Sequence, residues 1–119
     1  MKIAIPIESE SEKSLLSAKF ARSNYFAIVD KDQKSFSIKK NPFYDENSAA
    51  GRKLFHWLTN EHNVDTLLAY ELGLNMQQLA SESHMQIIII DKMHTTLDKL
   101  LNYMQISLDK ETTPCELPH

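Results

Sequence analysis

The sequence predicts an α/β domain built on a five-stranded mixed sheet, and three observations carry that expectation. The apolar pattern changes period along the chain in the order strand, strand, strand, helix, strand, helix, strand, helix. Ser35 to Lys40 (Ser-Phe-Ser-Ile-Lys-Lys) alternates polar and apolar with period two and follows the β-rich Tyr25 to Asp30 across a short polar turn. That is the signature of an antiparallel hairpin with one packed and one wet face. Ile87 to Ile90 are four consecutive isoleucines, as expected of a parallel strand buried on both faces. A hairpin followed by two βα units closes most simply into one mixed sheet, with the antiparallel pair on one side and right-handed crossovers on the other.

In chain order, Lys2 to Ile7 (Lys-Ile-Ala-Ile-Pro-Ile) places isoleucine at alternate positions and reads as the first strand, its end marked by Pro6. The charged, serine-rich Glu8 to Lys13 reads as a surface loop. After the hairpin, Asn41-Pro42 stops the strand, and Asp45, Asn47 and Ser48 are acceptable N-caps for a helix running to about Glu61. Its Ala50, Leu54, Trp57 and Leu58 fall on one face. Val64 to Ala69 is a short apolar strand, and Gly73 opens a second helix with Met76, Leu79 and Ala80 on its inner face. The isoleucine strand Gln86 to Ile90 is bounded by Asp91. Thr95 or Thr96 can cap a last helix whose Leu97, Leu100, Leu101 and Met104 form an i, i+3, i+4, i+7 stripe. A single domain over 1–106 is expected, with 107–119, rich in proline and lacking periodicity, as a loosely ordered tail.

Composition removes several function classes. A chain of 119 residues has room for one domain, and 42% hydrophobic residues suffice for a core without disulfides or metal. Thirteen basic and 16 acidic residues leave a net charge of −3, with no basic face or tail for nucleic acid. The single cysteine, Cys115, rules out an internal disulfide framework and suits a reducing compartment. With no membrane-length apolar run and a strand pattern directly after Met1, the expected location is the cytoplasm.

Five stretches in order carry a family likeness: Met1-Lys2-Ile3-Ala4-Ile5-Pro6, then Phe20-x-Arg22-x-x-Tyr25-Phe26-x-Ile28-Val29-Asp30, Asn41-Pro42, Val64-Asp65, and Gly73-x-Asn75. Together they resemble the dinitrogenase iron-molybdenum cofactor biosynthesis family, and the likeness extends from Met1 to about Met104. The resemblance implies a ribonuclease-H-like fold. It also implies a small non-enzymatic binding or carrier protein that handles iron-sulfur or iron-molybdenum clusters and meets cluster-assembly proteins. Where the family commonly reads His-Phe-Gly-Arg, this chain has Lys19-Phe20-Ala21-Arg22, so a candidate metal ligand has become an ammonium that does not hold iron at neutral pH. The usual Gly-Ala-Gly approach to the first helix is reduced to Ala49-Ala50-Gly51, and Tyr70 replaces a glycine after the fourth strand. The cluster site is therefore expected to be degenerate, with any cluster bound weakly or transiently.

The ligand site is expected at the carboxyl ends of the first, fourth and fifth strands, where open α/β sheets place their ligands. Glu8, Arg22, Tyr70, Glu71, Gly73 and Asn75 are the candidate binding residues, with His94 beside them as a metal candidate. Arg22 with Lys19 would suit a small anion or an anionic cluster, helped by the helix starts at Asn47–Gly51 and Gly73–Asn75. The competing role for Arg22 is an ion pair to Asp30 or Asp45. An iron-sulfur cluster normally needs four thiolates, so one cysteine leaves only attachment through one or two ligands, or sharing across a dimer. Cys115-x-x-x-His119 has a spacing that suits one metal ion. His56, His62 and His84 stand among polar neighbours as surface histidines. A hydrolase or nuclease on the same fold is the alternative, with Glu8, Asp30 and Glu71 as its acids. Two-metal chemistry would need them gathered together. The strand Ser35 to Lys40 is the expected sheet edge, and its lysines oppose further pairing, so a monomer or weak homodimer is expected.

Overall fold

The computed structural model describes residues 1–44, 50–90 and 95–104. Its strands are β1 (Lys2–Ile7), β2 (Tyr25–Asp30), β3 (Ser35–Lys40), β4 (Thr66–Ala69) and β5 (Gln86–Ile89). The helices are α1 (Ala50–His56), α2 (Leu74–Glu82) and α3 (Leu97–Tyr103). The sheet has the order β3-β2-β1-β4-β5. β1 pairs antiparallel with β2 from Lys2↔Asp30 to Ile7↔Tyr25, and parallel with β4 at Ile3↔Thr66 and Ala4↔Leu67. β2 and β3 form the antiparallel hairpin, and β4 and β5 are parallel. This is the expected five-stranded mixed sheet, with β1 at its centre. Among the described residues no helix is long and apolar enough to cross a membrane.

Alternation along each strand divides the core between two faces. Even-numbered Ala4, Phe26 and Ile28 meet Leu54, Leu58, Met76 and Ala80 of the α1 and α2 layer. Odd-numbered Ile3, Ile5, Ile7 and Val29 meet Leu97 and Leu101 of α3. Gly73 is the N-cap of α2 and Thr96 that of α3. The expected N-caps of the first helix, Asp45, Asn47 and Ser48, lie outside the described residues. α1 passes directly into a π-helical turn, Trp57–Glu61, where the Thr59 hydroxyl donates to the Phe55 carbonyl at 2.9 Å. Such back-bonding from a threonine competes with regular helix geometry. Beyond the turn, His62 packs edge-on against Trp57 with ring centroids 4.6 Å apart, so it is half-buried rather than a plain surface residue. Burial and the nearby Lys39 ammonium push its pKa below the ordinary histidine value.

Pro6 does not end β1; it sits inside the central strand opposite Phe26. The position tolerates proline because pairing with β4 stops at Ala4↔Leu67, so no β4 carbonyl awaits a Pro6 N–H. The segment around Leu16 takes over that side of β1: Leu16 bridges Ile7, and the Ser17 N–H donates to the Pro6 carbonyl at 2.9 Å. β1 and β4 thus diverge toward their carboxyl ends, and chain from the first long loop fills the gap.

β5 differs from expectation. Its isoleucines are not buried on two faces: Ile87 is 37% exposed, Ile88 38% and Ile89 57%. β5 is the outermost strand, and the helical layers are centred on β1, β2 and β4, so they cover it only in part. Only Ile90, just past the strand, packs against the α3 side.

Candidate ligand-binding site

A cavity of about 680 Å³ opens where β1 and β4 separate, lined on one side by Lys19, Phe20, Ala21 and Arg22 and on the other by Tyr70, Glu71, Leu72, Gly73 and Gln77, with Ile89 of β5 beside them. Two loops build it. The first, between β1 and β2, is fixed by buried polar groups. The Ser23 hydroxyl lies 2.8 Å from the Ile7 carbonyl and 2.6 Å from that of Tyr25, and the Asn41 amide nitrogen donates to the carbonyls of Ser23 (2.8 Å) and Ala21 (3.3 Å). Asn41 is 1% exposed, and its side-chain oxygen accepts from the Phe43 N–H at 2.9 Å. Phe20 anchors the loop from inside, its ring 5.0 Å from that of Phe26. The second loop joins β4 to α2, and a parallel bridge between Lys19 and Glu71 ties the two together.

Phe20 and Leu72 are buried and give the cavity an apolar floor; Lys19, Arg22, Glu71 and Gln77 are exposed at its rim. Among the described residues the ion pairs are Met1–Asp32 and Lys13–Asp98, so neither Lys19 nor Arg22 forms an ion pair with a described carboxylate. The pair to Asp30 expected for Arg22 does not form. Asp30 lies opposite Lys2, at the far end of the sheet, where its carboxylate accepts the Asp32 and Gln33 N–H groups. Asp45, the other expected partner, lies outside the described residues.

Of the residues singled out from sequence, Arg22, Tyr70, Glu71 and Gly73 line one cavity. The Tyr70 hydroxyl accepts the Thr95 N–H at 3.3 Å, which ties β4 to the start of α3. A Cβ at Gly73 would meet nothing within 4 Å, so glycine is not demanded by packing there; its effect is to leave the cavity mouth clear. Glu8 and Asn75 do not line the cavity: both are exposed, and Glu8 is engaged through its backbone with Leu15, Ser14 and Asn24. His94, Cys115 and His119 lie outside the described residues. Sequence reasoning passed over Gln77 and Ile89, and treated Phe20 only as part of a motif. Gln77 sits on the first turn of α2, its side chain donating to the Leu72 carbonyl at 2.7 Å, and its i+4 spacing from Gly73 was the available signal.

Among the described residues the cavity offers an ammonium, a guanidinium, an amide, a phenol and one carboxylate, with no thiolate or imidazole, a donor set that does not suit a coordinated cluster. Among the described residues no group of three or more His, Cys, Asp and Glu is arranged to hold a metal ion. A second cavity of about 410 Å³, at the amino ends of β4 and β5, is lined by His56, Asn60, Asp65 and His84 among others.

Comparison with known proteins places this geometry. A family model described as dinitrogenase iron-molybdenum cofactor matches residues 1–105. No curated protein sequence matches the chain. Among solved structures, the apo form of the orange protein from Desulfovibrio gigas has a TM-score of 0.75 at 18% identity, over 87% of this chain and 86% of that one. The Thermotoga protein TM1290 has a TM-score of 0.71 at 22% identity over 87% and 86%, and PH0822 one of 0.68 at 22% identity over 92% and 98%. At these identities the structures share the fold. The match of the family model over nearly the whole described chain carries the assignment: the chain belongs to the dinitrogenase iron-molybdenum cofactor family.

Proposed function

We propose that the chain is a small non-enzymatic binding or carrier protein whose cargo is a compact anion held in the cavity between the two loops. The observation that carries this is the pair Lys19 and Arg22, exposed on the rim over an apolar floor and ion-paired with no described carboxylate. Two cations beside a low-dielectric floor attract an anion more strongly than the same cations on an open surface. The α2 amino terminus at Gly73 adds the positive end of its dipole to the same rim. A cluster handled by this protein is, on this reading, cargo held as a preassembled anion by charge and shape rather than through metal–protein bonds.

The hydrolase alternative finds no support in the positions of its acids. Glu8 follows the end of β1 while Asp30 pairs with its start, about 20 Å away at 3.3 Å per residue. Titration calorimetry with phosphate, sulfate and molybdate tests the proposal. At least one should bind, and Lys19→Ala or Arg22→Ala should weaken it about 10- to 100-fold, the size of a lost charge-assisted hydrogen bond. Unchanged affinity in the double variant would refute the site. Metal-dependent phosphoester or RNA turnover abolished by Glu71→Ala would replace the carrier reading with the hydrolase one.

A further inference from the structure

We infer that β5 is a self-association edge, through which two copies of the chain pair antiparallel about a two-fold axis at Ile88 into one ten-stranded sheet. The backbone determines the register. The Gln86 N–H donates to the Asp65 carbonyl at 3.1 Å and the Ile90 N–H to that of Ala69 at 2.9 Å. In a parallel ladder alternate residues turn both N–H and C=O to the neighbour, so Gln86, Ile88 and Ile90 address β4 while Ile87 and Ile89 turn theirs outward. Two outward residues, two positions apart with one inward residue between them, are what an antiparallel two-fold needs. Ile87 of one copy lies opposite Ile89 of the other, each pair exchanges two hydrogen bonds, and Ile88 falls opposite itself at the closer, non-hydrogen-bonded position. All outward groups of the strand are then used, and a shift of one residue would use none of them.

The side chains agree with the backbone. The three pairs centred on the axis, Ile87–Ile89, Ile88–Ile88 and Ile89–Ile87, would join β-branched apolar residues, the combination that stabilises neighbouring strands. The two edges of the sheet also differ in kind. β3 ends in the exposed Lys39 and Lys40, which guard it against added strands, whereas Gln86 to Ile89 carry no charge. The helical layers cover β5 only in part, leaving Ile87 and Ile88 more than a third and Ile89 more than half exposed, so isoleucine surface is presented beside backbone that no described residue pairs. A second copy suits this edge because it brings the same uncharged, outward-turned pair of residues in the same spacing. A four-residue strand offers far less than the roughly 800 Å² per partner of a standard interface, so the pair belongs with weak, reversible associations.

Sedimentation equilibrium on the full chain, from micromolar to millimolar concentration, should show a concentration-dependent monomer–dimer equilibrium. Ile88→Lys, which sets two ammonium groups face to face on the axis, should weaken it at least about tenfold. Ile87→Pro removes one outward N–H and no bond to β4, a substitution edge strands accept, and should abolish dimerisation with the melting curve retained. Lys40→Glu on the opposite edge should leave the equilibrium unchanged. A chain that stays monomeric throughout, or a dimer that survives both β5 variants, would overturn the inference. So would protection of the Ile87 and Ile89 amides from hydrogen exchange that does not vary with protein concentration, since a segment of the same chain would then cover the edge.

Discussion

Replacing Asn41 by alanine should both destabilise the fold and weaken anion binding, although Asn41 does not line the cavity. Its buried side chain makes three hydrogen bonds, at 2.8 Å to the Ser23 carbonyl, 3.3 Å to the Ala21 carbonyl and 2.9 Å from the Phe43 N–H. At about 1 kcal/mol net for each, with an added cost where a buried carbonyl is left unpaired, the loss comes to about 2–4 kcal/mol. That is a large part of the roughly 5–15 kcal/mol by which a domain is stable. At about 4 °C per kcal/mol for a domain of this size, the melting temperature should fall by about 8–16 °C. The two carbonyls held by Asn41 flank Arg22, so the rim loosens with them and oxyanion affinity should fall in calorimetry run well below the melting temperature. Asn41→Asp sharpens the test, because the isosteric carboxylate presents an acceptor where Ala21 and Ser23 need a donor, and it should do at least as much damage as alanine. A melting temperature within about 2 °C of wild type for both variants would refute this account of the loop.

Other outcomes can be checked on the same material. His62 titrates at a lower pH in the folded chain than in the unfolded one, so the unfolded state takes up its proton first as the pH drops below about 6.5. Stability should therefore rise with pH through that window and reach its full value above it. Urea titrations followed by Trp57, the single tryptophan, should show a slope that His62→Gln reduces; an unchanged slope would remove His62 as its source. Leu101→Ala empties a fully buried position under the sheet and should cost about 2–5 kcal/mol, read as a lower urea midpoint with an unchanged m-value. Protein purified in air should be colourless and free of iron, and anaerobic reconstitution should yield less than one stable cluster per chain. A stoichiometric cluster that persists in Cys115→Ala would show that other residues ligate it.

Much of the architecture was legible because local chemistry and global fold agree in it. The hairpin declared itself through period-two alternation, and of the offered helix starts Gly73 and Thr96 stand at the N-cap positions of α2 and α3. β5 was misread for a physical reason: four isoleucines report how apolar a strand is, and whether a helix lies over it depends on where the crossovers run. Pro6 was misread because the rule that keeps proline out of central strands presumes neighbours on both sides, and β1 loses β4 just before it. At the site, Arg22, Tyr70, Glu71 and Gly73 could be gathered from strand ends and motif, since the carboxyl edge of such a sheet is where loops converge. Glu8 falls at the same edge, yet its loop turns toward Leu15 and Asn24, and sequence position alone does not carry that turn.

The placement of β1 at the centre of the sheet also sets the order in which the chain can be completed. Its first neighbour, β2, starts at Tyr25, but its second, β4, starts at Thr66. As the chain leaves the ribosome, the Ile3–Ala4 stretch of β1 therefore waits for its second neighbour until Thr66 and Leu67 have been made. Closing that long-range contact is the entropically expensive step, and it should set the folding rate. The walls of the cavity come from the two sides of the same closure, Phe20 and Arg22 from the early half and Glu71 to Gln77 from the late one. A ligand of that cavity would therefore meet both walls only once the β1–β4 ladder has closed, and added ligand should slow unfolding without hastening the first steps of folding.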